Sequence, residues 1–260
     1  MNIVLTADYH THTPYSHGKG TVLENAEKAK AAGLKEIGIT DHGFGHLAFG
    51  VKREKVPLLL RDCRAATKAT GVNVLSGMEA NILGESGKCD LTQEDYDDFE
   101  LFIAGKHVFV DYENLSAWIN YFGKNFVTDK LNLKPSKELK KLCTKAYINT
   151  IKHNPIDIIS HLNYLNFADA VEVAKCAADY GTYIEINTKK THLSDGEWQD
   201  IIDKTSCRFL IDSDAHSPDR VGDARLAEEL FDRIAFPKDR IDNIEGRVAN
   251  RRFAAFKNTR

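Results

Sequence analysis

The chain has 260 residues, with 35 Lys and Arg set against 38 Asp and Glu for a formal net charge of −3. That balance, without any long basic run, offers nothing to draw a nucleic acid to the surface, and no stretch is apolar for long enough to cross a bilayer. With no basic-then-apolar leader at its start either, the sequence reads as a soluble cytoplasmic protein. It is expected to fold as one domain over residues 1–260, because barrels commonly use this length for a single domain.

Short runs rich in Ile, Val, Leu and Phe alternate with longer segments of helical spacing. The first strand is expected over residues 3–6, and beyond it come His10 and His12 in Asp8-Tyr9-His10-Thr11-His12, then His17. Thr21 and Glu24 form a capping box for a helix that Gly33 stops. A strand over 36–40 ends in Thr40-Asp41-His42, and a helix over 54–69, stopped by Gly71, leads to a strand over 72–75 and then to Gly77-Met78-Glu79. A fourth strand, 101–104, precedes His107. The segment 111–149 is longer than one crossover helix needs and reads as a helical insertion after this strand, with helices over 115–124 and 136–152. A strand over 157–160 runs into His161, and Gly181 stops a helix over 168–180. A sixth strand, 183–186, leads to the loop that carries His192, followed by a helix over 196–205. The last strand, 209–211, runs into Ser213-Asp214-Ala215-His216, and helices over 223–234 and 240–256 complete the chain. This alternation predicts right-handed βαβ units and a parallel sheet that closes, at about seven repeats, into a TIM-like α/β barrel.

Five cysteines, Cys63, Cys89, Cys143, Cys176 and Cys207, are widely spaced and form no C-x-x-C pair, so neither a disulfide framework nor a thiolate zinc site is indicated. Cys63, Cys143 and Cys176 fall in helical patterns as core residues, and Cys89 reads as a surface thiol in a loop. Metal chemistry then rests on nitrogen and oxygen. In a parallel barrel the carboxyl ends of all strands open on one rim, so His10, His12, His17, His42, Glu79, His107, His161, Asp214 and His216 converge there. Within the pairs His10/His12 and Asp214/His216, residues two apart in extended chain project the same way.

Imidazole and carboxylate suit zinc, manganese or iron, and nine ligands exceed what one ion needs. Two carboxylates cannot cancel several divalent cations, so the pocket invites an anionic substrate. Metal-bound water loses its proton near neutral pH, and neighbouring ions can clamp both oxygens of an in-line displacement at phosphorus. The catalytic set is expected to be His10, His12, Glu79 and Asp214, joined by His192, whose loop reaches the same rim and which is placed to bind phosphate or protonate the leaving oxygen. Arg220 and Lys19, close in sequence to His216 and His17, are the cations expected to hold the phosphate; Arg220 reads equally as a surface salt bridge, which is the plainer reading of Lys19. Asp8 and Asp41 read equally as carboxylates that orient imidazoles and as turn residues. His153 reads as a helix C-terminal cap and His46 as a solvated loop residue. Trp118, Tyr121 and Phe122 read as core contacts of the insertion, and Trp198 as packing.

The ordered series H-x-H, a nearby His, T-D-H, G-x-E, two separate His and S-D-A-H, spanning residues 8–216, resembles that of the polymerase and histidinol phosphatase (PHP) family. The intervening text, including Gly77-Met78-Glu79-Ala80-Asn81-Ile82 and Glu185-Ile186-Asn187, resembles its small bacterial phosphatases. The resemblance implies a distorted (β/α)7 barrel holding three divalent ions. One would take His10, His12, Glu79 and Asp214; a second would share Glu79 and take His107 and His161; the third would take His17, His42 and His216. It further implies a phosphomonoesterase acting on a small phosphate ester, with a histidinol-phosphate phosphatase as the narrower alternative. Asp212, where many relatives have Gly, and Lys106, where a small or apolar residue is common, depart from the pattern and are expected to affect the rim rather than the ligand set, leaving substrate choice open; Lys106 reads first as facing the core side of the bend or solvent, and only second as a phosphate contact. An amidohydrolase would share the H-x-H and the late Asp but not T-D-H with S-D-A-H. A PHP exonuclease would need a basic groove, and a non-enzymatic binding protein would show lost ligands.

Overall fold

Strand pairing follows chain order without exception. In a computed structural model, described over residues 3–259, β1 (Ala7–Thr11), β2 (Glu36–Ile39), β3 (Asn73–Asn81), β4 (Leu101–Gly105), β5 (Ile158–Ile159), β6 (Tyr183–Asn187) and β7 (Phe209–Asp212) form one parallel sheet in that order. Crossovers are made by α1 (Val22–Ala31), α2 (Val56–Thr70), α4 (Lys137–His153), α5 (Ala170–Tyr180) and α6 (Asp195–Lys204), as parallel pairing demands. Short helices α3 (Lys124–Lys130), α7 (Arg225–Arg233) and α8 (Arg252–Lys257) complete the set. The result is a nearly closed, distorted (β/α)7 barrel, and no helix among the described residues is long and apolar enough to cross a membrane.

Strand parity explains where the polar groups gather. Ala7, Tyr9, Leu75, Leu101, Ile103, Ile158, Tyr183 and Leu210 pack as an apolar cluster of their own inside the barrel, separate from the larger core between sheet and helices. Successive inward positions lie two residues apart, and toward the carboxyl ends they turn polar. Leu75 is followed by Gly77, Glu79 and Asn81, Ile158 by Ser160, Tyr183 by Glu185 and Asn187, and Leu210 by Asp212. The barrel is therefore a dry plug at one end and a polar cup at the other. Gly105 is required by that cup. A Cβ there would lie 2.3 Å from Ser160 Oγ and 2.7 Å from His161 Cε1.

β1 needs a correction of phase before its histidines can enter the cup. Asp8 pairs with Ile37 but Thr11 with Ile39, so β1 carries one extra residue, a bulge. Tyr9 below the bulge and His10 and His12 above it can then all face inward. Among the described residues, backbone pairing between β1 and the end of β7 is confined to the top, where His12 N donates to Ala215 O and Ala215 N to His10 O. Lower down, side chains stand in for the ladder. Asp212 Oδ1 accepts from Tyr9 N at 2.7 Å, and Asn243 donates to Ala7 O and Ile211 O while accepting from Ile211 N.

Several expectations shift. The first strand lies over Ala7–Thr11, not 3–6, and β3 extends through Glu79 to Asn81. The helix expected over 240–256 shortens to α8, because 241–244 runs along the β1/β7 seam, with Leu5 bridging Ile244 and Phe209 bridging Ile241. In the insertion a π-helix, Ala117–Gly123, precedes α3. Tyr121 is buried as expected, but Trp118 is 53 % exposed. All five cysteines are free and buried, Cys89 included, so it is no surface thiol. The capping box of Thr21 and Glu24 is present, and Gly33, Gly71 and Gly181 follow helices with φ of 77°, 79° and 69°.

Candidate metal centre

Glu79 stands at the centre of the cup. Its Oε1 lies 2.6 Å from His161 Nε2 and 3.1 Å from His107 Nε2, and its Oε2 lies 2.9 Å from His42 Nδ1 and 3.3 Å from His10 Nε2. Ser160 Oγ donates to Oε1 at 2.8 Å. Asp214 faces it from the far side, with Oδ1 3.3 Å from His12 Nε2 and 3.2 Å from His216 Nδ1. The His12 ring lies 4.2 Å from that of His216 and 4.5 Å from that of His42, while His17 sits 4.8 Å from His42 and 4.2 Å from His216. All nine sequence-derived positions thus line one rim.

Three overlapping triads have ligand atoms within 4.8 Å of one another: His12, His42 and His216; His10, His12 and Asp214; His42, Glu79 and His107. This grouping places His12 with His42 and His216 as well as with His10. Two residues of the rim, His161 (φ 28°) and Asp214 (φ 46°), hold left-handed backbone that non-glycine residues seldom adopt. Glu185 Oε2 fixes the first by accepting from His161 N at 2.6 Å.

The buried carboxylates and imidazoles of the cup perturb one another strongly. Burial alone would raise Glu79, but His107, His10 and His161 outweigh it and hold the carboxyl well below its usual range; Asp214 is likewise pulled down, against burial, by His10, His12 and His216. His10 is pushed well up by Glu79, Glu185 and Asp214 in spite of burial, whereas burial and His42 drive His12 well down. Buried Glu79 Oε2, His42 Nδ1 and His107 Nε2 crowd together, His42 Nδ1 2.9 Å from Oε2 and His107 Nε2 3.1 Å from Glu79 Oε1, yet none of the three makes a well-directed hydrogen bond among the described residues. Orphaned nitrogen and carboxylate atoms converging in a buried space fit divalent ions, and the donor set is wholly nitrogen and oxygen.

The supporting residues differ from those expected. Asp8 accepts from Ser213 N, Ser213 Oγ and Gly222 N, and Asp41 from Thr13 N, Thr13 Oγ1 and Ser16 Oγ, so both brace loops and neither orients an imidazole. That task falls to Glu185, 2.6 Å from His10 Nδ1, and to Asn81, 2.7 Å from His107 Nδ1. Asp212 lies buried in the β1/β7 seam and Lys106 is buried beneath the insertion, donating to Leu165 O at 2.8 Å, so neither departure sits on the open rim.

A cavity of about 480 Å3 opens above the cluster. Lys189 lines it, with Nζ 3.3 Å from Asp214 Oδ1 and 3.1 Å from His216 Nδ1. Arg220 and Lys19 do not; Arg220 donates to Thr188 O and pairs with Asp223, and Lys19 is exposed. His192 lines the cavity beside Tyr164, and burial, with His161 and Lys190 nearby, lowers it to about 3. His46 is buried on the same wall rather than solvated, its Nδ1 accepting from Ala48 N and Phe49 N. His153 ends α4, its ring 3.1 Å from Ser86 O, and Trp198 is packed in the core.

A family model described as the PHP domain matches residues 8–189. A protein of Caldanaerobacter subterraneus subsp. tengcongensis named as a probable phosphatase is 30% identical over 257 residues, covering 94% of this chain and 89% of that protein. One of Vibrio parahaemolyticus with the same name is 30% identical over 271 residues, covering 98% and 94%. Among solved structures, the histidinol phosphate phosphatase of Lactococcus lactis, in complex with zinc, L-histidinol and phosphate, has a TM-score of 0.61 at 16% identity, covering 94% of this chain and 98% of its own. That last likeness is one of fold.

Proposed function

This chain belongs to the PHP domain family, and from that footing we propose that it is a metal-dependent phosphomonoesterase whose rim holds three divalent ions, zinc, manganese or iron, and acts on a small phosphate ester. The observation that carries the reading is Glu79, a buried carboxylate within 3.3 Å of four imidazoles, with Asp214 and His12 closing the opposite side. Ions held there would supply a hydroxide-strength nucleophile at neutral pH and charge to offset the phosphoryl oxygens. His10, His12, Glu79 and Asp214 would hold the reacting end. His107 and His161 would complete the Glu79 side, and His17, His42 and His216 the outer side.

The chain's other groups take the roles their places allow. Glu185 and Asn81 fix the ring orientation of His10 and His107, which keeps the remaining nitrogen of each aimed at the cup. Lys189, rather than Arg220 or Lys19, is the cation positioned to meet a phosphate in the cavity. Burial, with His161 and Lys190 nearby, pushes His192 down to about 3, which favours a neutral ring that donates a hydrogen bond to the substrate over a proton source.

The test is hydrolysis of an aryl phosphate by protein loaded with zinc, manganese or iron, before and after chelation, with Glu79→Gln beside it and histidinol phosphate in the substrate panel. Loaded protein should turn over the ester and chelated protein should not. Glu79→Gln should lose activity by roughly 10³-fold, the scale on which one preorganised charge at a reacting centre acts, and should bind less metal by elemental analysis. Equal turnover by chelated and loaded protein would sink the proposal.

A further inference from the structure

The cavity above the metal centre continues sideways. Tyr164, Lys190 and His192 line it, and the same three line a second hollow of about 580 Å3 whose far wall is Asp129 and Lys130 at the end of α3. The insertion after β4 is thus one bank of a channel and the loop after β6 is the other. Asn163 and Asn166, also in its wall, spend their amides on Ala168, Phe167 and Tyr121 and hold the shape. The Asp129 carboxylate, the Lys130 and Lys190 ammonium groups, the Thr191 hydroxyl and the Tyr164 phenol have no hydrogen-bond partner among the described residues.

The cavity of about 480 Å3 above the cluster is far larger than a phosphoryl group and shares a wall with the side hollow, so there is room for what the phosphate is esterified to. The hollow's chemistry discriminates among alcohols. An apolar one would strip water from charged groups and return nothing. A second anionic group would meet Asp129 and Glu197, and a cationic one would meet Lys130 and Lys190. Vicinal hydroxyls, each both donor and acceptor, satisfy a carboxylate and ammonium groups together, and a sugar's C–H face can lie on the open part of the half-buried Tyr164 ring in the wall.

Resting on the phosphatase reading above, we propose that the leaving group is a hydroxyl-rich alcohol, a sugar or polyol. It is seated between Asp129 and Lys130 on one bank and Lys190 and Thr191 on the other. The test uses the metal-loaded full chain with hexose and pentose phosphates against simple alkyl phosphates of matched leaving-group basicity. Sugar phosphates should be favoured in kcat/KM by about tenfold or more, the worth of one or two hydrogen bonds to charged groups. Asp129→Ala and Lys190→Ala, both at exposed positions, should each reduce that preference by roughly tenfold, chiefly through KM. Alkyl phosphates turned over as well as sugar phosphates, or a preference unmoved by both substitutions, would overturn the assignment while leaving a phosphatase. A loaded protein that hydrolyses none of these esters would overturn the phosphatase reading and this one with it.

Discussion

Glu185 is worth as much to the cup as the residues that line it. One of its oxygens holds His10 Nδ1 at 2.6 Å; the other accepts from His161 N and from Asn187 Nδ2, whose own contact at 3.2 Å is Asp214 Oδ2. A single carboxylate therefore sets the orientation of three groups that would meet the ions. Glu185→Gln keeps the shape and removes the charge. Metal affinity should fall by about 10–100-fold, the usual cost of losing such a partner, read by metal titration, while activity at saturating metal should partly return. Unchanged affinity would show Glu185 to be only structural. The nine rim positions could be read from the chain because histidines in H-x-H, T-D-H and S-D-A-H have few bland explanations when they occur together. Glu185 could not, although Glu185-Ile186-Asn187 stood out as text. Its only signal is that it shares an inward face with Tyr183, and that face exists only once the barrel is known. Lys189 was hidden in the same way, since the path of its loop decides whether it meets the cavity.

Elements were legible where their signals are local and not where closure decides them. One capping box and three glycine stops placed α1, α2 and α5 to within a few residues, because each signal is settled within one turn. The first strand was misplaced because its apolar run, residues 3–6, lies before the paired segment, and the pairing with β2 carries a bulge that no alternation pattern announces. The terminal helix was overextended for a related reason. Asn243 spends its side chain on the β1/β7 seam, where it meets Ala7 O at 3.0 Å, Ile211 O at 2.6 Å and Ile211 N at 3.0 Å, and this pins 241–244 as a filler strip. Asn243→Ala would leave those buried backbone groups unpaired at a cost of about 3 kcal/mol, or roughly 6–12 °C in Tm for a chain of this size. A Tm within 2 °C of wild type, an order-of-magnitude bound from the same scaling, would mean that the seam closes without it.

At the scale of the whole molecule, a dry plug and a polar cup share one barrel axis, and they answer to different perturbations. The plug is apolar and fixed by the chain alone. In the cup, Glu79, Asp214 and Glu185 are buried among imidazoles with unpaired atoms, so the folded state offers ligands that the unfolded chain scatters over some 200 residues of sequence. Ions that bind the folded state alone stabilise it by about 2.7 kcal/mol at a hundredfold excess over Kd, which for this size is roughly 5–10 °C of Tm per independent site. Calorimetry on chelated and reloaded protein should show that rise. Glu79→Gln should shrink it, because the shared ligand is lost. Asn243→Ala should lower both melting points and preserve the gap between them, because the seam lies below the cup. Superimposable melts with and without metal would leave the cup as an ordinary buried polar cluster, and its orphaned atoms would then need another explanation than cations.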